Sequence, residues 1–137
     1  MPAAVRASRL LIVDDEDAVR RLADRFLRGA GYQTIVADEG TRALEVAATN
    51  APLDLLVTDV MMPGMTGDEL ARRLRHRLPA LRVLYLTGYV DMLFASRPVL
   101  WEDEMFLEKP FTQAGLREAV SLALFGHTRG PILPGQV

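Results

Sequence analysis

Short apolar runs alternate with segments of helical spacing along almost the whole chain, and this alternation restricts the fold more than any other feature. Leu10-Leu11-Ile12-Val13 is a continuous apolar run ended by Asp14, the pattern of a strand covered on both faces. Val19, Leu22, Ala23, Phe26 and Leu27 then share one helical stripe, with Arg20, Arg21, Asp24, Arg25 and Arg28 opposite, and Gly29 and Gly31 end that helix. Residues 34–37 read as a second strand, Asp38 as the cap of a helix turning Ala43, Leu44, Ala47 and Ala48 inward, and residues 53–60 as a third strand. Thr66 and Glu69 have capping-box spacing ahead of a helix with Leu70, Leu74 and Leu78 inward. Residues 82–87 and 105–108 are the fourth and fifth strands. Leu116, Ala119, Val120, Ala123 and Leu124 make a last amphipathic helix, capped by Thr112.

Strands alternating with helices imply right-handed βαβ units, hence an α/β, doubly wound parallel sheet of five strands. At 137 residues there is room for one core, read here as a domain over residues 9–125, preceded by an extension (1–8) and followed by a tail or linker stump (126–137). The absence of cysteine excludes thiolate catalysis, zinc ribbons, iron–sulfur clusters and disulfides, and fits a cytoplasmic location. A net charge of −2 gives no overall attraction for nucleic acid, and no apolar run reaches the length of a membrane span.

In such sheets ligands sit outside the carboxyl ends of the strands. The predicted ends are Asp14-Asp15, Asp59, Thr87-Gly88 and Lys109-Pro110, so these polar side chains share one rim. Lys109 is the single lysine among 16 basic residues, a compact point charge where every other base is a guanidinium fork. Three carboxylates held together repel: at about 4 Å and an effective dielectric near 20, each pair costs about 4 kcal/mol. They need a cation, and oxygen-only ligands indicate a hard one, Mg²⁺ or Mn²⁺. One acid here would merely cap the first helix, one Thr would be an ordinary strand residue, and one Lys would be solvated. The whole set on one rim is what points to a site.

The segments LIVDDE, VTDVMMPGMTG, LTGY and EKPF, in that order and each at a predicted strand end, resemble the receiver domain of bacterial two-component response regulators. The resemblance implies the flavodoxin-like (βα)5 fold with strand order 2-1-3-4-5. It implies that Asp59 is the phosphoacceptor and that Asp14, Asp15, Asp59 and the carbonyl of Met61 hold Mg²⁺. It makes Thr87 the switch hydroxyl, Lys109 the phosphate-contacting lysine with Thr87 and Gly88 beside it, and Asp59, Lys109 and Thr87 the catalytic set. It also implies a cis Lys109-Pro110 peptide, a partner that is a histidine kinase or histidine phosphotransfer protein, and catalysis only of the domain's own phosphorylation and dephosphorylation.

Phe106 stands where many members carry a switching aromatic, often Tyr; lacking a hydroxyl, it is expected to act by packing alone. Met61 and Tyr89 flank the family's route for hydrolytic water, and their bulk predicts a long-lived phosphoryl group. Residues 90–104, interrupted by Pro98, carry more apolar surface than one short helix can bury. They read either as local packing over the sheet edge or as a partner surface, with a homodimer through the 90–125 face as one outcome. Arg72, Arg73, Arg75, His76 and Arg77 read as a solvated helix face rather than a nucleic-acid patch. Other classes fit less well. A flavin or nucleotide site needs a phosphate-cradling loop where this chain has Asp-Asp-Glu-Asp. An aspartyl-phosphate hydrolase needs a second carboxylate where Met61 stands, and a degenerate receiver used only for contacts would not need the intact acidic set.

Overall fold

Each short apolar run forms a strand whose successive side chains enter opposite layers. The computed structural model describes residues 7–50, 52–88 and 104–126. In chain order the elements are β1 (Arg9–Val13), α1 (Asp17–Gly29), β2 (Gln33–Ala37), α2 (Gly40–Thr49), β3 (Leu55–Asp59), α3 (Gly67–Arg77), β4 (Arg82–Thr87), β5 (Glu104–Glu108) and α4 (Gln113–Phe125). All strand pairings are parallel, as the alternation of strands and helices predicts, and the order is β2-β1-β3-β4-β5, as the family resemblance implies.

The period of two along a strand divides the core cleanly. Leu11, Val13, Leu56, Val83 and Tyr85 pack with Ala43 and Ala47 of α2 and Leu70, Ala71 and Leu74 of α3. Leu10, Ile12, Leu55, Val57, Leu84 and Leu86 pack on the other face with Ala23 and Leu27 of α1 and Leu116, Ala119, Val120 and Ala123 of α4. Central strands therefore read as unbroken apolar runs because both faces are covered. Each fully buried Leu or Ile side chain contributes roughly 1.5–3 kcal/mol.

Several local expectations are corrected. Glu39, not Asp38, is the N-cap residue of α2, and no side chain caps that end. Ala48 is exposed, while Leu44 and Val46 pack against the core part-buried. The third strand, Leu55–Asp59, is shorter than residues 53–60; ahead of it Asp54 donates its N–H to the Arg9 carbonyl at 2.8 Å and accepts the Arg9 N–H on its carboxylate at 2.7 Å. Thr66 does cap α3 by accepting from the Glu69 N–H, but the Glu69 carboxylate pairs with Arg72 and Arg73, so the box is half formed. Arg75 leaves the solvated face: its side chain is 18% exposed and pairs at 2.8 Å with Glu104, which also accepts the Tyr85 hydroxyl at 3.0 Å. Thr112 caps α4, and Lys109-Pro110 is cis. Tyr89, Pro98 and the rest of the 89–103 segment lie outside the described residues, as do 1–6 and 127–137.

Candidate functional site

The chain reverses direction across the sheet between β2 and β3, so the crevice beyond the carboxyl ends of β1 and β3 is where side chains from distant segments meet. β1 ends at Val13 and delivers Asp14 and Asp15; β3 ends in Asp59; β5 is followed by Lys109. The acid loop holds its shape through its backbone. Asp14 Oδ1 accepts the Glu16 N–H at 2.8 Å, the Asp14 carbonyl accepts from Arg20 at 2.9 Å, and Glu16 is the N-cap residue of α1. The helix N-terminus adds favourable positive potential for acids in this loop.

Oxygens of Asp14, Asp15 and Asp59 lie within 4.8 Å of one another. Asp14 and Asp59 are buried while Asp15 is exposed, so the cluster opens to solvent on the Asp15 side. Asp59 Oδ1 accepts the Val60 N–H at 2.9 Å, leaving Oδ2 toward Lys109 at 3.4 Å. The ammonium lies 2.9 Å from Asp14 Oδ2, an ion pair that is out of line for a hydrogen bond, and 3.3 Å from Glu16 Oε1. One cation thus faces several anions.

The protonation equilibria record that imbalance. Burial, then the charge of Asp14, push the Asp59 carboxyl up to about 6, with Lys109 pulling the other way. Burial also raises Asp14 despite Lys109. For Lys109, burial disfavours the charge, but Asp14, Asp59 and Glu16 outweigh it and hold the ammonium above its ordinary range. An all-oxygen donor set, a buried Asp14 oxygen lacking a hydrogen bond and a carboxylate driven toward its acid form together fit a hard divalent cation.

A cavity of about 620 Å³ opens over this cluster. Asp15, Glu16, Asp59 and Lys109 line it with charged side chains, Met61, Val19, Leu22, Pro110 and Phe111 with apolar ones, and Gly88 with backbone. Of the residues singled out from sequence, Asp14, Asp15, Asp59 and Lys109 come together, and Met61 and Gly88 line the opening. Thr87 is buried at the end of β4, and its carbonyl accepts the Lys109 N–H at 2.9 Å. Phe106 does not join the cluster; part-buried opposite Tyr85 in the ladder, it packs against the layer of α2 and α3. Sequence reasoning missed Glu16 as a partner of Lys109, although it stands in the same DDE run. It also missed Gly67, whose N–H donates to the Val60 carbonyl at 2.8 Å and which abuts Asp59.

The family profile of the response regulator receiver domain matches residues 10–121. The chain belongs to that family. This receiver domain is 36% identical over 115 residues to the sensor kinase CckA of Brucella abortus (strain 2308), covering 83% of this chain and 12% of that protein. It is 35% identical over 103 residues to the response regulator receiver protein CpdR of the same organism, covering 75% of this chain and 85% of that one. The crystal structure of the receiver domain from the hybrid histidine kinase CckA superposes with a TM-score of 0.74 at 38% identity, over 85% of this chain and 99% of that one. The receiver domain is a phosphoacceptor signalling domain with a flavodoxin-like fold. Because the chain spans so little of the sensor kinase, that protein's other activities do not transfer to it. Among the described residues no helix is long and apolar enough to cross a membrane.

Proposed function

We propose that the receiver domain takes a phosphoryl group from a phosphohistidine on a histidine kinase or histidine phosphotransfer partner onto Asp59, in a Mg²⁺-dependent reaction, and changes one face in response. Asp14, Asp15, Asp59 and the Met61 carbonyl would hold the Mg²⁺. When bound, that ion offsets the repulsion between a carboxylate nucleophile and phosphoryl oxygens. The observation that carries the reading is the convergence of Asp14, Asp15 and Asp59 within 4.8 Å, with Lys109 beside them, under a cavity wide enough for a tetrahedral oxyanion.

Phosphoryl transfer through a loose transition state asks a protein mainly for position and charge stabilisation. An Asp59 oxygen attacks phosphorus in line. The new O–P bond forms as the N–P bond of the phosphohistidine breaks, and the electron pair stays with the imidazole, which takes its proton from water. Lys109 follows an oxygen of the arriving group. Thr87 supplies a hydroxyl donor once that group is in place, and the new hydrogen bond moves the loop beginning at Gly88, with Phe106 repacking as the readout. Turnover is confined to the domain's own phosphorylation and dephosphorylation, and the compartment is the cytoplasm.

Incubation with acetyl phosphate and Mg²⁺, followed by intact mass, tests this. Wild type gains one phosphoryl group, and Asp59→Asn or excess chelator prevents the gain. Equal labelling of wild type and Asp59→Asn would reassign the acceptor.

A further inference from the structure

Among the described residues the Lys109 ammonium faces three carboxylates: it donates a hydrogen bond to Glu16 at 3.3 Å and forms ion pairs with Asp14 at 2.9 Å and Asp59 at 3.4 Å. The three differ in what losing the ammonium costs. Asp14 and Asp59 are buried, so water does not replace a lost partner; the Glu16 side chain is 63% exposed and is resolvated at once. Glu16 also lines the cavity that holds Asp59, so its charge faces any anion that approaches. Its role in capping α1 is carried by its backbone alone, since its side chain makes no capping hydrogen bond. An oxyanion arriving on Asp59 competes with these carboxylates for the ammonium, and the exposed hydrogen bond to Glu16 is the contact given up most easily.

We propose that Glu16 is a latch on Lys109: its carboxylate holds the ammonium and repels anions while Asp59 is unmodified, and releases the ammonium when a phosphoryl group arrives. The inference rests on Asp59 being the acceptor. A contact made only in the unphosphorylated state opposes the phosphorylated one, so its removal shifts the balance toward phosphorylation. Glu16 is in this sense a positioning residue, acting through Lys109.

Glu16→Gln keeps the size and polarity of the side chain and removes its charge. With Mg²⁺ and acetyl phosphate, the variant should be phosphorylated about two- to fivefold faster than wild type. It should also bind beryllofluoride, a phosphoryl mimic, about two- to fivefold more tightly by calorimetry, the size expected for an exposed ion pair. Asp38→Asn removes an equal charge from an exposed residue on the same rim, one outside the Lys109 ion pairs seen among the described residues, and should leave both values at wild type. Equal values in wild type and Glu16→Gln, a slower Glu16→Gln, or the same gain in Asp38→Asn would overturn the latch and leave Asp59 as acceptor. Failure of wild type and Glu16→Gln alike to acquire a phosphoryl group would overturn the acceptor reading, and the latch with it.

Discussion

Gly67 and Asp59 are in direct backbone contact: a methyl group added to Gly67 would lie 2.1 Å from the Asp59 carbonyl oxygen and 3.1 Å from Thr58 Cγ2. The first residue of α3 is therefore fixed against the end of β3, and the helix buttresses Asp59 from behind. Gly67→Ala forces backbone apart rather than a flexible side chain. It should cost roughly 1–3 kcal/mol in urea unfolding and weaken Mg²⁺ binding in calorimetry by displacing Asp59. An unchanged Mg²⁺ affinity would show that the buttress does not position the carboxylate.

Removing the ammonium that pairs with Asp14 and Asp59 tests the electrostatic balance. Lys109→Met leaves Asp14 Oδ2 and Asp59 Oδ2 buried and uncompensated, which should cost roughly 3–5 kcal/mol in the presence of chelator. Added Mg²⁺ should then raise the Tm of Lys109→Met by more than it raises that of wild type. Identical Tm values for the two proteins in chelator would contradict this.

The raised Asp59 equilibrium sets a pH dependence of opposite sign to that of an ordinary paired carboxylate. Folded Asp59 holds its proton up to about 6, against an unfolded value near 4, so the folded state binds the proton more tightly. The resulting stability deficit is absent below about pH 4 and fully present above about pH 6, where it amounts to roughly 3 kcal/mol at most. In chelator, Asp59→Asn should thus unfold at a higher temperature than wild type at pH 7.5, and the gap should close as pH falls to about 4. A gap that widens on acidification would show the opposite linkage.

Protons also compete with the metal. Below about pH 6, where Asp59 takes up its proton, the apparent affinity for Mn²⁺, followed by the electron paramagnetic resonance of the free ion, should fall by up to about tenfold per pH unit. Asp59→Asn should bind more weakly and lose most of this pH dependence. A flat wild-type profile between pH 5 and 7 would exclude Asp59 from the metal-binding set.

The fold was legible because buried parallel strands leave a signal that survives in one sequence. Leu10-Leu11-Ile12-Val13 and Arg82–Thr87 read as strands at once, since both faces are covered and no polar residue interrupts them. Chain reversal at β1 and β3 then brought Asp14, Asp15 and Asp59 together, as the spacing of acids at strand ends led one to expect. What stayed hidden depends on side-chain choices that tertiary contacts decide. Arg75 sits in a run of exposed bases, and only the fold reveals that Glu104, 29 residues away, draws it inward. Glu69 has the spacing of a capping box, yet two guanidinium groups outcompete a backbone N–H for its carboxylate. Asp38 has the right side chain for a helix cap, but α2 begins one residue later than a cap there requires, and Glu39 occupies the position.

On the proposed function one carboxylate in the chain becomes an acyl phosphate, and borohydride reduction reads that bond directly. Hydride reduces the acyl phosphate to an alcohol and releases phosphate, converting an aspartyl phosphate to homoserine. After treatment with acetyl phosphate and Mg²⁺, peptide mass mapping should find homoserine at position 59 and at no other aspartate. Homoserine at Asp14 or Asp15, or no reduction product in protein that had gained a phosphoryl group, would contradict the account.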